Sequence, residues 1–320
     1  MKSKVTVILK GAISIGLLAF LLTQVNLQQT WTQLQHLSWS FVLFALLYYT
    51  VCQWMSCIRW SLILRTTHHT VPIAELMKSY FAGMFLNIFL PGATSGDVYR
   101  VYKLAQTTKD PEIALVSVFL ERFTGLVALS ALGVLGLVPA FRLIGRWDII
   151  FLFLGCVAAL VGGVVLITSP KLLRWVEPWF AKYRLARLTA RMAKIQLLLQ
   201  DFVQYRQILA ASLALSLLLQ LAIVYYHYMI AQQLAIPVSY LQLLVFIPII
   251  VVITLLPISF GGLGLKEGLW IYLFGRVELT AEQAFLLSVT ITALSWLLSL
   301  PGAIVLLLDS TGLQQMSKKN

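Results

Sequence analysis

The stretch FLNIFLPGATSGDVYRVYKL (residues 85–104) places Asp97 and Arg100 one helical turn apart, just after a Pro/Gly/Ser break in an apolar run. Such a break ends one helix and starts another. The new N-terminus exposes unpaired N–H groups and the positive end of the helix dipole. With a cation one turn further in, it can hold an anion such as a phosphate. A second break, LPISFGGLGLK (256–266), aligns with residues 90–100: Leu-Pro falls on Leu-Pro, Gly262 on Gly96 and Lys266 on Arg100. Glycines allow close backbone approach to a ligand, and hydroxyl side chains add donors. The candidate binding residues are Asn87, Pro91, Thr94, Ser95, Gly96, Asp97 and Arg100 at the first break. At the second they are Ser259, Gly261, Gly262, Gly264, Lys266 and Glu267.

Glu121 and Arg122 form a third charged element, about ten residues into an apolar run. Each charge at the centre of a bilayer costs roughly 2.5–3.5 kcal/mol on insertion scales. Neighbours on a helix point about 100° apart, so the two need other partners. Arg100 or Lys266 suits Glu121, and Asp97 or Glu267 suits Arg122. A buried ionic lock between the breaks and this run is the structural alternative, and it is compatible with a binding role. Other chemistry is weakly represented. His68-His69 has no Cys, Asp or Glu at ligand spacing, so no metal or other cofactor is expected. Asp110, Pro111 and Glu112 read as N-cap, N1 and N2 of a helix rather than as an acidic metal motif. Cys52, Cys57 and Cys156 show no framework spacing.

The elements that position these residues are membrane spans. The chain has 320 residues, of which 60% are hydrophobic and 11% charged, against about 25% charged in soluble proteins. Several runs reach the roughly 20 residues needed to cross a bilayer. The expected fold is an all-α polytopic membrane protein with about six full spans, near 5–24, 38–62, 111–138, 149–168, 207–231 and 281–308. Two re-entrant helical hairpins, 74–105 and 240–275, carry the breaks; a plain hydropathy count reads seven or eight spans. The first run resembles a signal peptide but lacks a cleavage site and is read as an uncleaved span. Non-helical backbone at membrane depth is tolerated only against protein or a wet cavity, so both hairpins imply a cavity. Each half reads span, span, hairpin, span, in opposite orientations. That makes an inverted repeat, 1–140 and 141–320, with its site at the interrupted segments.

The net charge of +12 fits cytoplasmic loops under the positive-inside rule better than nucleic-acid binding. Both termini and the 171–206 loop are then cytoplasmic. Within that loop Leu185, Leu188, Met192, Ile195, Leu199 and Phe202 share one helical face, while Arg184, Arg187, Arg191 and Lys194 share a neighbouring one. The pattern predicts an amphipathic helix on an anionic leaflet, with packing against the spans as the alternative.

The motifs LPGATSGDVYR, SVFLERFTG (117–125) and PISFGGLGLKEG (257–268) together resemble the flippase-like membrane-protein family that includes the membrane domain of lysylphosphatidylglycerol synthase. That family's patterns are similar to L-P-x-x-x-G-D-x-x-R, E-R-x-x-G and P-x-S-x-G-G-x-G-x-[KR]-E, and this chain departs by one extra residue between Pro91 and Gly96. The resemblance implies a multi-pass protein of a bacterial inner membrane that binds or translocates phospholipid. Its 320 residues leave no room for a soluble aminoacyl-transferase domain, so aminoacyl-lipid synthesis is not expected of them. The alternatives are a membrane-embedded glycosyl- or lipid-transferase, with Asp97, Glu121 or Glu267 as base, and a structural subunit that docks on a lipid-synthesis enzyme.

Overall fold

In a computed structural model, the structure describes residues 37–89, 95–136, 147–169, 186–256 and 262–317, with a few positions before residue 37. The described residues form helices and short turns. They are α1 (Trp39–Arg65), α2 (Ile73–Phe89), α3 (Ser95–Thr108), α4 (Pro111–Leu135), α5 (Trp147–Thr168) and α6 (Ala186–Gln204). The second half continues with α7 (Arg206–Gln233), α8 (Tyr240–Thr254), α9 (Leu265–Phe274), α10 (Ala281–Ser299) and α11 (Pro301–Ser317). Among the described residues, four stretches are long and apolar enough to cross a membrane: α1, α4, α7 and residues Ala281–Asp309. The expected span at 149–168 is α5, with an apolar stretch Ile149–Gly163. The expected span at 5–24 lies outside the described residues, apart from isolated positions.

Helix starts follow local chemistry. Asp110 caps α4, its Oδ1 accepting from the N–H groups of Glu112 and Ile113, with Pro111 at the first helical position. Pro there sacrifices no needed donor. Ser239 with Gln242 and Thr280 with Gln283 form reciprocal capping boxes at α8 and α10. At α9, Gly264 at φ 80° turns the chain into the helix, and the Glu267 carboxylate accepts its N–H at 2.7 Å. The last span, expected unbroken over 281–308, is divided at Leu300, because Pro301 has no N–H to continue the ladder.

The order long helix, short pair, long helix occurs twice. Helices starting at 39, 73, 95 and 111 have counterparts starting at 206, 240, 265 and 281. Helix α4 packs against α1, α3, α6, α7 and α8, and α1 lies along α7. Without a hydrophobic drive between helices in lipid, close approach depends on small residues. A Cβ on Gly96 would lie 1.9 Å from the carbonyl oxygen of Gly83, so α2 and α3 touch backbone to backbone. A Cβ on Gly302 would lie 2.1 Å from the carbonyl oxygen of Phe81, which places α11 equally tightly on α2.

The amphipathic loop segment is helix α6, and it docks on protein. Leu199 and Phe202 are buried with Ile63, Val116 and Leu120. Its cations also meet protein acids: Lys194 lies 2.5 Å from Asp110 and 3.5 Å from Glu112, and Arg191 lies 3.3 Å from Glu112. Burial pushes the Asp110 carboxyl up, but the Lys194 contact and the capped N–H groups outweigh it and hold it below the ordinary range. The hydrogen bond to Asp110 holds Lys194 above its ordinary value. Arg184 and the side chain of Arg187 lie outside the described residues.

Candidate functional site

Two polar assemblies lie side by side, and the charged motif residues divide between them. The first is a chain of ion pairs through the centre of the first helix set. Glu121, fully buried on α4, is paired with Arg59 of α1 through Oε1 and with Arg100 of α3 through Oε2. Both Arg100 Nη1 and Nη2 lie 3.1 Å from that oxygen. Arg100 also donates to Asp97 at 3.0 Å, and Asp97 accepts from Arg122 Nη2 at 3.0 Å. The Arg100 guanidinium is sandwiched between the rings of Trp60 at 4.2 Å and Tyr80 at 4.3 Å, a planar cation on two π faces. Arg59 Nη1 donates to Ser216 Oγ on α7 at 2.8 Å, and Gly125 leaves room for it: a Cβ there would sit 3.2 Å from Nη1.

This chain contains three guanidinium groups and two carboxylates, so it carries one excess positive charge. Arg122 is its outlet, with a side chain 41% exposed against 2% for Arg100. Arg122 and Asp97 stand at the wall of a cavity of about 600 Å³ between α3, α4 and α5. Val98, Phe119, Leu126 and Leu160 line much of the rest. The cavity is an apolar trough with one polar side.

The second assembly joins the two short-helix pairs. A pocket of about 230 Å³ is lined by Asn87 and Ile88 of α2, by Gly262, Leu263 and Lys266 from the second break, and by Ile291, Thr292, Ser295 and Trp296 of α10. Asn87 Oδ1 accepts the Gly96 N–H at 2.6 Å, which leaves its amide NH₂ as a donor. Lys266 Nζ donates to Thr292 Oγ1 at 2.5 Å, and the nearest carboxylate oxygen, Glu267 Oε1, is 3.6 Å away. The other Glu267 oxygen is held by the Gly264 N–H, so this acid serves the turn as much as the lysine. Gly262, at φ 82°, is in a conformation that glycine adopts without strain.

Several expected site residues are thus brought together: Asn87, Gly262 and Lys266 in the pocket, with Gly264 and Glu267 forming the turn that starts the Lys266 helix. Asp97, Arg100, Glu121 and Arg122 gather in the ion-pair chain instead. Gly96 is a helix-crossing point. Pro91, Thr94, Ser259, Gly261 and the side chain of Ser95 lie outside the described residues. Of the partners weighed for the charged pair, Arg100 takes Glu121 and Asp97 takes Arg122; Lys266 and Glu267 stay with each other. Sequence reasoning missed Arg59, Thr292 and Ser295. Arg59 had a signal: it sits in CIRWSLIL with apolar residues on both sides, six residues before the end of its helix. Lys78 and Lys103 are neutralised locally, by Glu75 at 2.7 Å and by Asp309 at 2.8 Å.

A bundle of apolar helices with charged groups at its centre and a polar pocket between two interrupted segments defines a polytopic helical membrane protein. Its family is shown by comparison: a family model described as the lysylphosphatidylglycerol synthase TM region matches residues 7–302, and the chain belongs to that family. No match was found among curated proteins or solved structures. Among the described residues, no group of three or more His, Cys, Asp or Glu side chains could hold a metal ion.

Proposed function

We propose that the protein binds phospholipid and passes it between the leaflets of a bacterial cytoplasmic membrane, with both termini cytoplasmic. The observation that carries this reading is the 230 Å³ pocket between the two short-helix pairs, with Lys266 as a cation short of a close carboxylate. A lipid phosphate fits this wall: Lys266 supplies charge and the Asn87 amide NH₂ supplies a hydrogen-bond donor. The apolar trough beside Arg122 gives an acyl chain a protein surface within reach of the excess positive charge. The pocket takes walls from both halves, so relative movement of the halves would change which leaflet it meets. The ion-pair chain holds the first half rigid.

The test is leaflet exchange of labelled phosphatidylglycerol in proteoliposomes. Charge-assisted contacts contribute roughly 1.5–3 kcal/mol, so Lys266→Gln is expected to weaken lipid binding by about tenfold to a hundredfold and slow exchange, while Arg206→Gln does neither. Parent exchange no faster than in empty liposomes across several lipids would refute the transport reading. Co-purification of a polyprenyl-phosphate sugar would then favour a transferase.

A further inference from the structure

Arg122 is the twelfth of the 25 residues of α4, so it stands near the middle of a membrane span. A cation at that depth is costly unless it is matched. Asp97 matches it only in part. Its Oδ1 accepts from Arg122 Nη2 at 3.0 Å and its Oδ2 lies 2.8 Å from Nε, but Oδ1 also serves Arg100. Among the described residues, no protein acceptor meets Arg122 Nη1. The excess positive charge of the ion-pair chain is therefore carried by a half-exposed guanidinium in the wall of the 600 Å³ trough.

The shape of the trough has its own cause. Helix α5 packs on α8 and α6 and meets α3 and α4 across the trough. On that side it presents Ala159 and Gly163, one helical turn apart. Small residues at this spacing normally let membrane helices close on one another. Here they leave room instead: a Cβ on Gly163 would meet nothing within 4 Å. On α4 the lining runs from Leu115 to Leu126, about 16 Å of helix. Val98 and Leu115 are exposed, so the trough is open on that side to the surrounding lipid. An apolar cavity of about 150 Å³ already takes a benzene, and this one is about four times larger.

We infer that the trough is a binding site for a long-chain fatty acid, with its carboxylate on Arg122 and its chain along α4 and α5. One added carboxylate brings the ion-pair chain to three guanidinium groups and three carboxylates. The planar carboxylate also suits the guanidinium fork. A phospholipid fits less well. It carries ester carbonyls, a phosphate and often further hydroxyl or amino groups, whereas Asp97 and Arg122 are the only polar side chains in the lining among the described residues. Most of those groups would lie against apolar side chains without partners, which is costly. A fatty acid has one polar group, and Arg122 meets it. The site goes beyond the lipid reading above: Lys266 is not in its wall, and it stands whether or not phospholipid is moved.

The test uses a palmitate with a photoactivatable diazirine in its chain, and the full chain in phosphatidylcholine nanodiscs, with labelled residues read by peptide mass spectrometry. Saturable labelling is expected within residues 115–126 and 159–163. Unlabelled palmitate should compete, while methyl palmitate, which lacks the charge, and phosphatidylglycerol should compete at least several-fold less well. Arg122→Gln should lower the affinity about tenfold or more, the scale of one charge-assisted contact. Gly163→Leu fills the trough from a position with open space, so it should abolish the labelling without lowering the thermal midpoint. Lys266→Gln, in the other pocket, should label like the parent. Undiminished labelling in Gly163→Leu, or saturable labelling confined to other helices, overturns the site. Equal competition by methyl palmitate overturns the role of Arg122, and phosphatidylglycerol competing as well as palmitate overturns the fatty acid as its occupant.

Discussion

Arg100 meets Glu121 with two nitrogens on one oxygen, Nη1 and Nη2 both 3.1 Å from Oε2, while Arg59 takes Oε1. The carboxylate is fully buried, and its two cations come from different helices. Moving charges out of water costs several kcal/mol per ion even after relaxation. An arrangement of this kind persists only where each member is matched, which ties α1, α3 and α4 into one unit.

Glu121→Gln should therefore destabilise strongly, since it leaves two buried guanidinium groups with a neutral partner. Removing one member of a buried pair typically costs about 3–5 kcal/mol, read as a lower thermal midpoint in detergent. Arg122→Ala should cost less, because the two remaining guanidinium groups still match the two carboxylates, Glu121 and Asp97. The Asp97→Ala, Arg122→Ala double variant should deviate from additivity by about 0.5 kcal/mol or more. Equal losses for Glu121→Gln and Arg122→Ala would remove Glu121 from the centre of the network.

How far the sequence reveals this depends on how local the cause is. The Asp110 cap is legible because donor and acceptor lie within three residues. The Glu121-Arg122 pair is legible as a need, since two charges in an apolar run demand partners. Which partners is a matter of helix packing, so Arg100 and Asp97 appear only as candidates. Arg59 is hidden because an arginine late in a span matches the positive-inside pattern, which assigns it to the interface. The short pairs are legible from Pro and Gly. Thr292 and Ser295 are not, because a hydroxyl in a span can simply bond its own backbone, as both also do here.

The glycine contacts give a separate check on packing. Gly96→Ala and Gly302→Ala would each drive a methyl into a carbonyl oxygen at about 2 Å, with only backbone to yield. Overpacking costs typically 1–3 kcal/mol, and here the upper part of that range or more is expected. Gly268→Ala, inside α9 with open space around its Cβ position, should be neutral or stabilising by about 0.5–1 kcal/mol through helix propensity. Thermal unfolding of the three variants under one condition decides it. Tolerance of alanine at both 96 and 302 would refute the α2–α3 and α11–α2 crossings.

The two-sided pocket requires the two helix sets to run in opposite directions through the bilayer. Contacts already group certain ends. Lys194 on α6 reaches Asp110 at the start of α4, and Lys103 late in α3 reaches Asp309 in α11. These ends share one face, and the proposed orientation puts that face in the cytoplasm. In that orientation α4 and α7 both leave the cytoplasm, and residue 233 at the far end of α7 is expected outside. On a background in which Cys52, Cys57 and Cys156 are replaced, Gln233→Cys should react with an impermeant thiol reagent in intact cells. Leu188→Cys, on α6, should react only after permeabilisation. External reaction at 188, or protection at 233 that permeabilisation relieves, would reverse the orientation. If instead both positions react from the same side, α7 does not cross the membrane, the two helix sets are not inverted copies, and a pocket built from both halves loses its access to two leaflets.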